Sequence, residues 1–591
     1  MESRKILILY GSETGCAQDT AERIGRQARR RHFKTRVIAM DEYERAQLVE
    51  EQLVIFVCST TGQGDEPTNM KRFWKFLLRK NLPPNILSQM EYTVFGLGDS
   101  SYQKFNYPAK KLYKRLSQLG AVSIHPRGDG DDQHYLGLDG GLDPWLDELW
   151  PKIMAKYPLP PGMQIIPADN TPPPSFHLEF VKDAFSNGVS TTKQSDLRHE
   201  GEFEVIVQKN ERITADDHFQ DVRHIELKIQ NDDNEALYAP GDIAVIRPKN
   251  LPNEVDAFLE YMNWSDLADE QIIVRPTSED RRVPSHWPHL MTFRELFVSC
   301  LDIFSVPRRS FFEMLAFFTE DENQTEKLRE FSSPEGQDDM YAYCQRPRRT
   351  VAEVLFDFQS AKIKLDYILD LFPMMQPRSF SIASDPKTHP GEIHLCIAIV
   401  KYKTKLKKIR RGVCSKWISQ LQEGDSIPSV HITRGTMQLP KDPNVPLIMI
   451  GPGTGIAPMR SFLEDRIYHN STENTLFVGC RYEHKDYYYR EQWEGYVNKH
   501  QLELHTAFSR DQDSKIYVQD LIRQQAPALW RLIDEKKSKV LLSGSSNKMP
   551  EQVAFAFKEL FMEQGGLDAE QAELYFSRME KSGQFQQECW A

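Results

Sequence analysis

Apolar residues recur along this chain in two rhythms. Short unbroken runs, each feeding a loop rich in glycine or serine, mark both ends: residues 6–10 (Ile-Leu-Ile-Leu-Tyr), 53–58 and 92–95 near the start, and 446–450, 476–480 and 540–544 near the end. A run of this length bounded by turn signals predicts a strand buried on both faces, as in a parallel sheet. Between them the rhythm changes. Residues 203–208, 222–229 and 238–245 read as further strands, the last behind a Pro240-Gly241 turn. From 255 to about 371 the pattern turns helical and aromatic-rich, and segments such as 311–318 predict core rather than a ligand box. Residues 377–383 (Pro-Arg-Ser-Phe-Ser-Ile-Ala) then alternate, with Phe380 and Ile382 facing one way and Ser379 and Ser381 the other. A stretch rich in Pro, Ser and Thr, from 158 through 172–174 to 201, can bury little and predicts a hinge. The expected organisation is a multidomain α/β plus β-barrel chain. Residues 1–150 form a parallel α/β domain and 151–200 a hinge. An antiparallel barrel spans 201–440 with a helical insertion at about 250–370, and a second parallel α/β domain spans 441–591.

Composition narrows the function classes. The 591 residues are 40% hydrophobic and 27% charged, which predicts a soluble globular protein of several domains. No run approaches the roughly 20 apolar residues of a membrane helix, and the polar start is too short for a signal peptide, so a cytosolic protein is expected. Eight cysteines are scattered without the close spacing of zinc or iron–sulfur ligands, so no metal is predicted and any redox centre should be an organic cofactor. A net charge of −11 argues against nucleic-acid binding, yet residues 1–150 are near neutral, with 21 Lys+Arg against 20 Asp+Glu. Residues 128–150 hold seven acids and no base, either a solvated face or a docking lip for a basic partner. Seven bases between Arg23 and Arg36 suit the C-terminal half of the first helix, where cations favour its dipole. The basic run 401–411 reads as a solvated hairpin.

Candidate chemistry sits at the strand ends. After residues 6–10 comes Gly11-Ser12-Glu13-Thr14-Gly15-Cys16-Ala17, leading into a helix expected from about Gln18. Amides at a helix N-terminus and the hydroxyls of Ser12 and Thr14 form an anion cradle, and the missing Gly-Lys-Ser/Thr excludes a nucleotide P-loop. Two further strands run into Ser59-Thr60-Thr61-Gly62 and into Gly96-Leu97-Gly98-Asp99-Ser100-Ser101-Tyr102, with Phe105-Asn106 following. Loops at the carboxyl ends of parallel strands mark a ligand crevice. This region resembles flavodoxin. The resemblance implies FMN, with Ser12, Glu13, Thr14, Gly15, Cys16 and Ala17 on its phosphate. Ser59, Thr60, Thr61 and Gly62 lie beside the ring, as do Leu97, Gly98, Asp99, Tyr102 and Asn106, with Asp132 also in contact and Tyr102 stacked. Cys16 stands where related reductases carry threonine, and Thr61 where an aromatic is frequent; both predict looser FMN retention.

Further on, Arg348-Arg349-Thr350, residues 378–381 and Arg411-Gly412-Val413-Cys414-Ser415-Lys416-Trp417 repeat arginine, serine and open amides at strand ends, which suit a pyrophosphate. The pattern Arg-x-Phe-Ser followed by Gly-x-Cys-Ser resembles the FAD barrel of the ferredoxin–NADP reductase family. It implies FAD contacts from Arg349, Arg378, Ser379, Phe380 and Ser381, and from Gly412, Val413, Cys414 and Ser415. In the last domain Gly451-Pro452-Gly453-Thr454-Gly455 admits a diphosphate, with Thr454 a candidate contact. Ser509, Arg510, Lys515, Tyr517 and Gln519 suit the 2′-phosphate of NADPH. Glu551-Gln552 departs from relatives that carry Asp nearby.

Over nearly its whole length the chain resembles the diflavin reductases, and within them the soluble NADPH-dependent members. The start without an anchor, the Gly-Ser-Glu-Thr-Gly loop and the ending Phe585-Gln-Gln-Glu-Cys-Trp590-Ala carry that choice. The resemblance implies electron flow from NADPH through FAD and FMN to an anamorsin-type iron–sulfur protein of cytosolic cluster assembly, by a monomer in a transient partner complex. It also implies that Trp590 stacks on FAD and moves for nicotinamide, and that Ser381, Ser543 and Glu588 form one hydrogen-bonded set around hydride transfer. A reductase for a haem monooxygenase is the alternative within the family, and a flavin-bearing scaffold the alternative outside it.

Overall fold

The computed structural model describes residues 4–62, 64–102, 104–181, 201–230, 237–278, 281–404 and 407–590. The chain divides into two compact units: residues 1–191, 252–376 and 404–408 form one, and 192–251, 377–403 and 409–591 the other. The insertion expected within the barrel domain is thus grouped with the N-terminal region. Its aromatic residues form that unit's largest core cluster, with Phe293, Phe297, Phe312 and Phe372 fully covered, so the aromatic run at 311–318 is packing.

In the first unit, strands β1 (Lys5–Gly11), β2 (Lys34–Ala39), β3 (Leu53–Ser59), β4 (Glu91–Gly98), β5 (Val122–Ser123) and β6 (Gly128–Asp131) form a parallel sheet. Their order is β2-β1-β3-β4-β5, with β6 also on β4. This is the flavodoxin-like order, and its switch point lies between β1 and β3. The central strands are covered on both faces, as their unbroken apolar runs require. Helix α1 (Cys16–Arg30) starts two residues earlier than expected and ends before Arg31, Lys34 and Arg36, so only four of the seven bases lie on it. The expected hinge is more structured than its composition suggests. The helix Asp139–Lys156 runs past residue 150, and the strand Phe176–Phe180 pairs with Gln271–Pro276; residues 182–200 of the hinge lie outside the described residues.

The second unit contains two sheets that bear on function. Six antiparallel strands, in the order Arg378–Ser381, Ile243–Ile246, Ser426–Thr433, Glu202–Arg212, Val222–Ile229 and Glu392–Ala398, form a nearly closed barrel. An Ile382–Leu395 bridge ties its first strand to its last. Lys401–Lys403 and Ile409–Arg411 pair as the hairpin expected for the basic run. The five-stranded parallel sheet is ordered Glu503–Phe508, Asn474–Cys480, Leu447–Pro452, Lys539–Ser545 and Phe585–Trp590. In chain order this is the doubly wound 3-2-1-4-5, with a crevice between its first and fourth strands.

Candidate functional site

Register assembles the first site. Gly11 lies opposite Cys58 and Ser59 opposite Leu97, so loops 12–17, 59–62 and 97–106 leave the sheet side by side at the switch point. Helix α1 opens on Gly15, whose φ of +88° is left-handed, and no side chain caps its first turn. Ser12 Oγ, Thr60 Oγ1 and Asn106 Oδ1, one from each loop, are buried without a hydrogen-bond partner. Buried polar groups are normally satisfied, so three orphaned oxygens, one on each of three adjoining loops, fit a polar ligand such as FMN.

The remaining predicted residues there are tied to the framework. Ser12 N–H donates to Asn69 Oδ1 at 2.8 Å and Ser59 Oγ to Gly11 O at 3.4 Å. The Glu13 carboxylate accepts from Thr68 N–H and Oγ1, so it braces the neighbouring turn. Asp99 accepts from Ser101 and Gln133. Asp132 is exposed and bonds Gly98 O through its N–H, and Tyr102 is half-buried. Asn106 holds a left-handed φ of 51° and donates to Asp129 and Gly130. One contact had no sequence signal: Arg308 of the insertion donates to Thr14 O at 2.9 Å and to Cys16 Sγ at 3.6 Å.

Part of the acidic stretch 128–150, read from sequence as a solvated face or a docking lip, is instead engaged in ion pairs. Arg23 pairs with Asp139 at 2.8 Å and with Asp143 at 2.5 Å, Arg309 also pairs with Asp143, and Arg127 holds Asp129 at 2.7 Å. Of the seven acids only Asp132, Asp147 and Glu148 are exposed. Arg23, in the middle of α1, therefore serves an ion-pair network between secondary elements, while Arg29 and Arg30 occupy the helix's last turn.

The second unit brings its own predicted residues together. The last strand, Phe585–Trp590, pairs in parallel with Lys539–Ser545, placing Ser543 opposite Glu588 and Ser545 opposite Trp590. Glu588 reaches back to the barrel: Ser381 Oγ donates to its Oε1 at 3.2 Å, and Thr436 N–H and Oγ1 to its Oε2. The expected three-member set is thus two-membered. Ser543 is fully buried, but its hydroxyl has no hydrogen-bond partner. An orphaned hydroxyl beside a carboxylate and next to the glycine loop fits an incoming polar ring. Trp590 remains 38% exposed at the strand's end.

Gly453 and Thr454 lie in the short turn Gly453–Gly455 that opens the helix Ile456–Tyr468. This helix is clamped to the barrel strand. Arg460 Nη1 donates to Ala383 O at 2.6 Å and Ser461 Oγ to Ser384 O at 2.7 Å. Beside the clamp, His394 contacts Glu392 and Arg460, while His389 contacts Glu464. Burial depresses His394 to about 2 and His224 to about 3, so both rings are neutral. This network was invisible in the sequence because its members come from two strands and a helix far apart in the chain. It fixes the glycine turn relative to Ser381.

Other predicted contacts are partly occupied. Gly412 N-caps the helix Val413–Ile418, whose open amides remain available. Ser415 Oγ is used internally, accepting from Val400 N–H. Cys414 is buried in the barrel core and burial pushes its thiol up to about 12, so only its backbone can meet a cofactor. Arg378 and Phe380 are half-buried and Ser379 exposed on the barrel strand. Arg349, in the first unit, is held by Asp357 at 2.6 Å and by Tyr343 O. Arg510, Lys515 and Tyr517 are exposed, Ser509 Oγ bonds Cys480 O, and Gln519 is buried with its amide on Gln552 at 2.9 Å.

Comparison with known proteins decides what these sites belong to. Three family models match in succession: flavodoxin over residues 8–145, an FAD binding domain over 195–417, and an oxidoreductase NAD-binding domain over 449–554. Two vertebrate proteins named NADPH-dependent diflavin oxidoreductase 1, from Xenopus laevis and Danio rerio, are each 44% identical over all of both chains. A fission-yeast protein of the same name, from Schizosaccharomyces pombe, is 39% identical over the same full extent. The chain belongs to the NADPH-dependent diflavin oxidoreductase family. As a diflavin oxidoreductase it is an NADPH-dependent enzyme with FMN, FAD and NADP domains. The flavodoxin match spans the orphaned oxygens of Ser12, Thr60 and Asn106, and the NAD-binding match spans that of Ser543. Among the described residues of this oxidoreductase no helix is long and apolar enough to cross a membrane.

Proposed function

We propose that this enzyme delivers electrons from NADPH to an iron–sulfur protein of the anamorsin type in cytosolic cluster assembly. When bound, the two flavins accept an electron pair from NADPH and release electrons singly to a protein acceptor. The chain's residues bind, orient and electrostatically tune those partners. At the FMN end, the amides of 15–17 and the hydroxyls of Ser12 and Thr14 hold the phosphate, while Thr60, Asn106 and Tyr102 border the ring. At the FAD end, Arg378 and the amides of 412–415 hold the diphosphate. Arg510 and Lys515, exposed on one loop, take the 2′-phosphate of NADPH.

One observation carries the chemistry at the NADPH end: Ser381 Oγ, 3.2 Å from Glu588, with the unsatisfied Ser543 hydroxyl on the paired strand. Ser381 is held as a positioned donor at the flavin edge. Glu588 places a carboxylate where the oxidised nicotinamide ring is positive, which favours the product charge. Ser543 meets the nicotinamide, and Trp590 covers the flavin face until nicotinamide enters.

The acceptor is tested by anaerobic NADPH titration of the holoenzyme with and without a purified anamorsin-type protein. The cluster absorbance should bleach after the flavins, in proportion to added NADPH. A cluster that stays oxidised beside two reduced flavins would exclude this acceptor.

A further inference from the structure

Arg308 comes from the insertion, 294 residues along the chain from the loop it meets. Its Nη2 donates to Thr14 O and to Cys16 Sγ, and Nη1 and Nη2 lie within 3.4 Å of the position a Gly15 side chain would take. Its neighbours hold it there. Arg309 and Arg23 share Asp143, and Ser310 Oγ donates to Asp19. These contacts engage Asp19 and Asp143, acids lying toward the loop, and among the described residues no carboxylate comes within 4.0 Å of the Arg308 guanidinium.

The Arg308 guanidinium donates to a carbonyl and a sulfur but to no carboxylate directly, with Asp19 and Glu22 favouring its charge from further away. The loop itself supplies no cation: residues 11–17 contain no Lys or Arg, and their one charged side chain is the acid Glu13. Amides and hydroxyls alone must hold a dianionic phosphate there, and Cys16 brings no hydroxyl. A guanidinium fork completes such a cradle with charge-assisted hydrogen bonds. We propose that Arg308 is a ligand of the FMN phosphate supplied by the insertion. FMN binding is then linked to seating of the flavodoxin-like sheet on the insertion, and by reciprocity FMN tightens that seating as much as the seated Arg308 tightens FMN. The proposal rests on the reading of loop 12–17 as the phosphate cradle.

The test uses full-length, FAD-containing protein stripped of FMN and titrated with FMN and with riboflavin, which lacks the phosphate, following flavin fluorescence. Arg308→Gln should weaken FMN by about ten- to a hundredfold, as expected for hydrogen bonds between charged groups, and leave riboflavin affinity unchanged. Arg308→Lys should recover part of the loss, keeping the charge without the fork. Unaltered FMN affinity in Arg308→Gln, or an equal loss for FMN and riboflavin, would overturn the proposal by showing no role or a packing role. Unchanged FMN affinity in Ser12→Ala would instead remove the cradle reading on which it stands.

Discussion

Between residues 11 and 17 the chain leaves a parallel strand through glycines and enters a helix; between 451 and 455 it makes the same move. The glycine at each helix entrance does a different job. Gly15 needs its left-handed φ of +88°, and apart from Arg308 no group crowds it. Gly455 has ordinary helical φ of −59° but no room: a side chain there would meet Ser543 O at 2.1 Å and Gly544 Cα at 2.9 Å. Around Gly15 the first loop meets only Arg308, a cation from elsewhere in the chain. The second is pressed against the strand that carries Ser543, so its glycine sets how closely that strand can approach. Similar motifs therefore have different tolerances, decided by what lies next to the backbone.

Gly455→Ala should have the largest effect. The displaced Ser543 strand misaligns nicotinamide and flavin, and a shift of about 1 Å can cost about a hundredfold. Stopped-flow reduction by NADPH should slow by at least that much while FMN content stays normal; an equal fall in FMN content would erase the distinction between the loops. Ser381→Ala removes one hydrogen bond to Glu588 without moving backbone. FAD reduction should slow by roughly ten- to a hundredfold with normal FAD content, and an unchanged rate of flavin bleaching would take Ser381 out of the mechanism. Gly15→Ala should be mildest, since a left-handed alanine costs about 1–2 kcal/mol. FMN dialysis should show roughly tenfold weaker retention or less, with FAD reduction by NADPH at the parent rate. A Gly15→Ala protein that loses NADPH reduction as well would mean the first loop is not independent of the second.

Much of the fold was legible. The apolar runs at both ends were buried parallel strands, because only a sheet covered on both faces needs no polar alternation. The 377–383 run was a strand with Ile382 buried and Ser379 exposed. The hinge was misjudged in part: Pro-rich composition says that little is buried, but Phe176–Phe180 still finds a partner in the distant strand Gln271–Pro276. In the acidic stretch, Asp132, Asp147 and Glu148 are exposed while Asp129, Asp139 and Asp143 find arginines that a charge pattern cannot name.

By itself the sequence determined the order of strands, loops and helices and the residue types at each strand end, because periodicity, turn chemistry and glycine placement are local properties. Only the tertiary structure decided which of those ends meet. Ser381 finds Glu588 across 207 positions, Arg460 fastens the NADPH-side helix to the FAD-side strand, and Arg308 arrives at a loop it could not be assigned to. Such pairings depend on sheet order and register, which are set by burial of whole faces and leave no trace in the spacing of the residues they join.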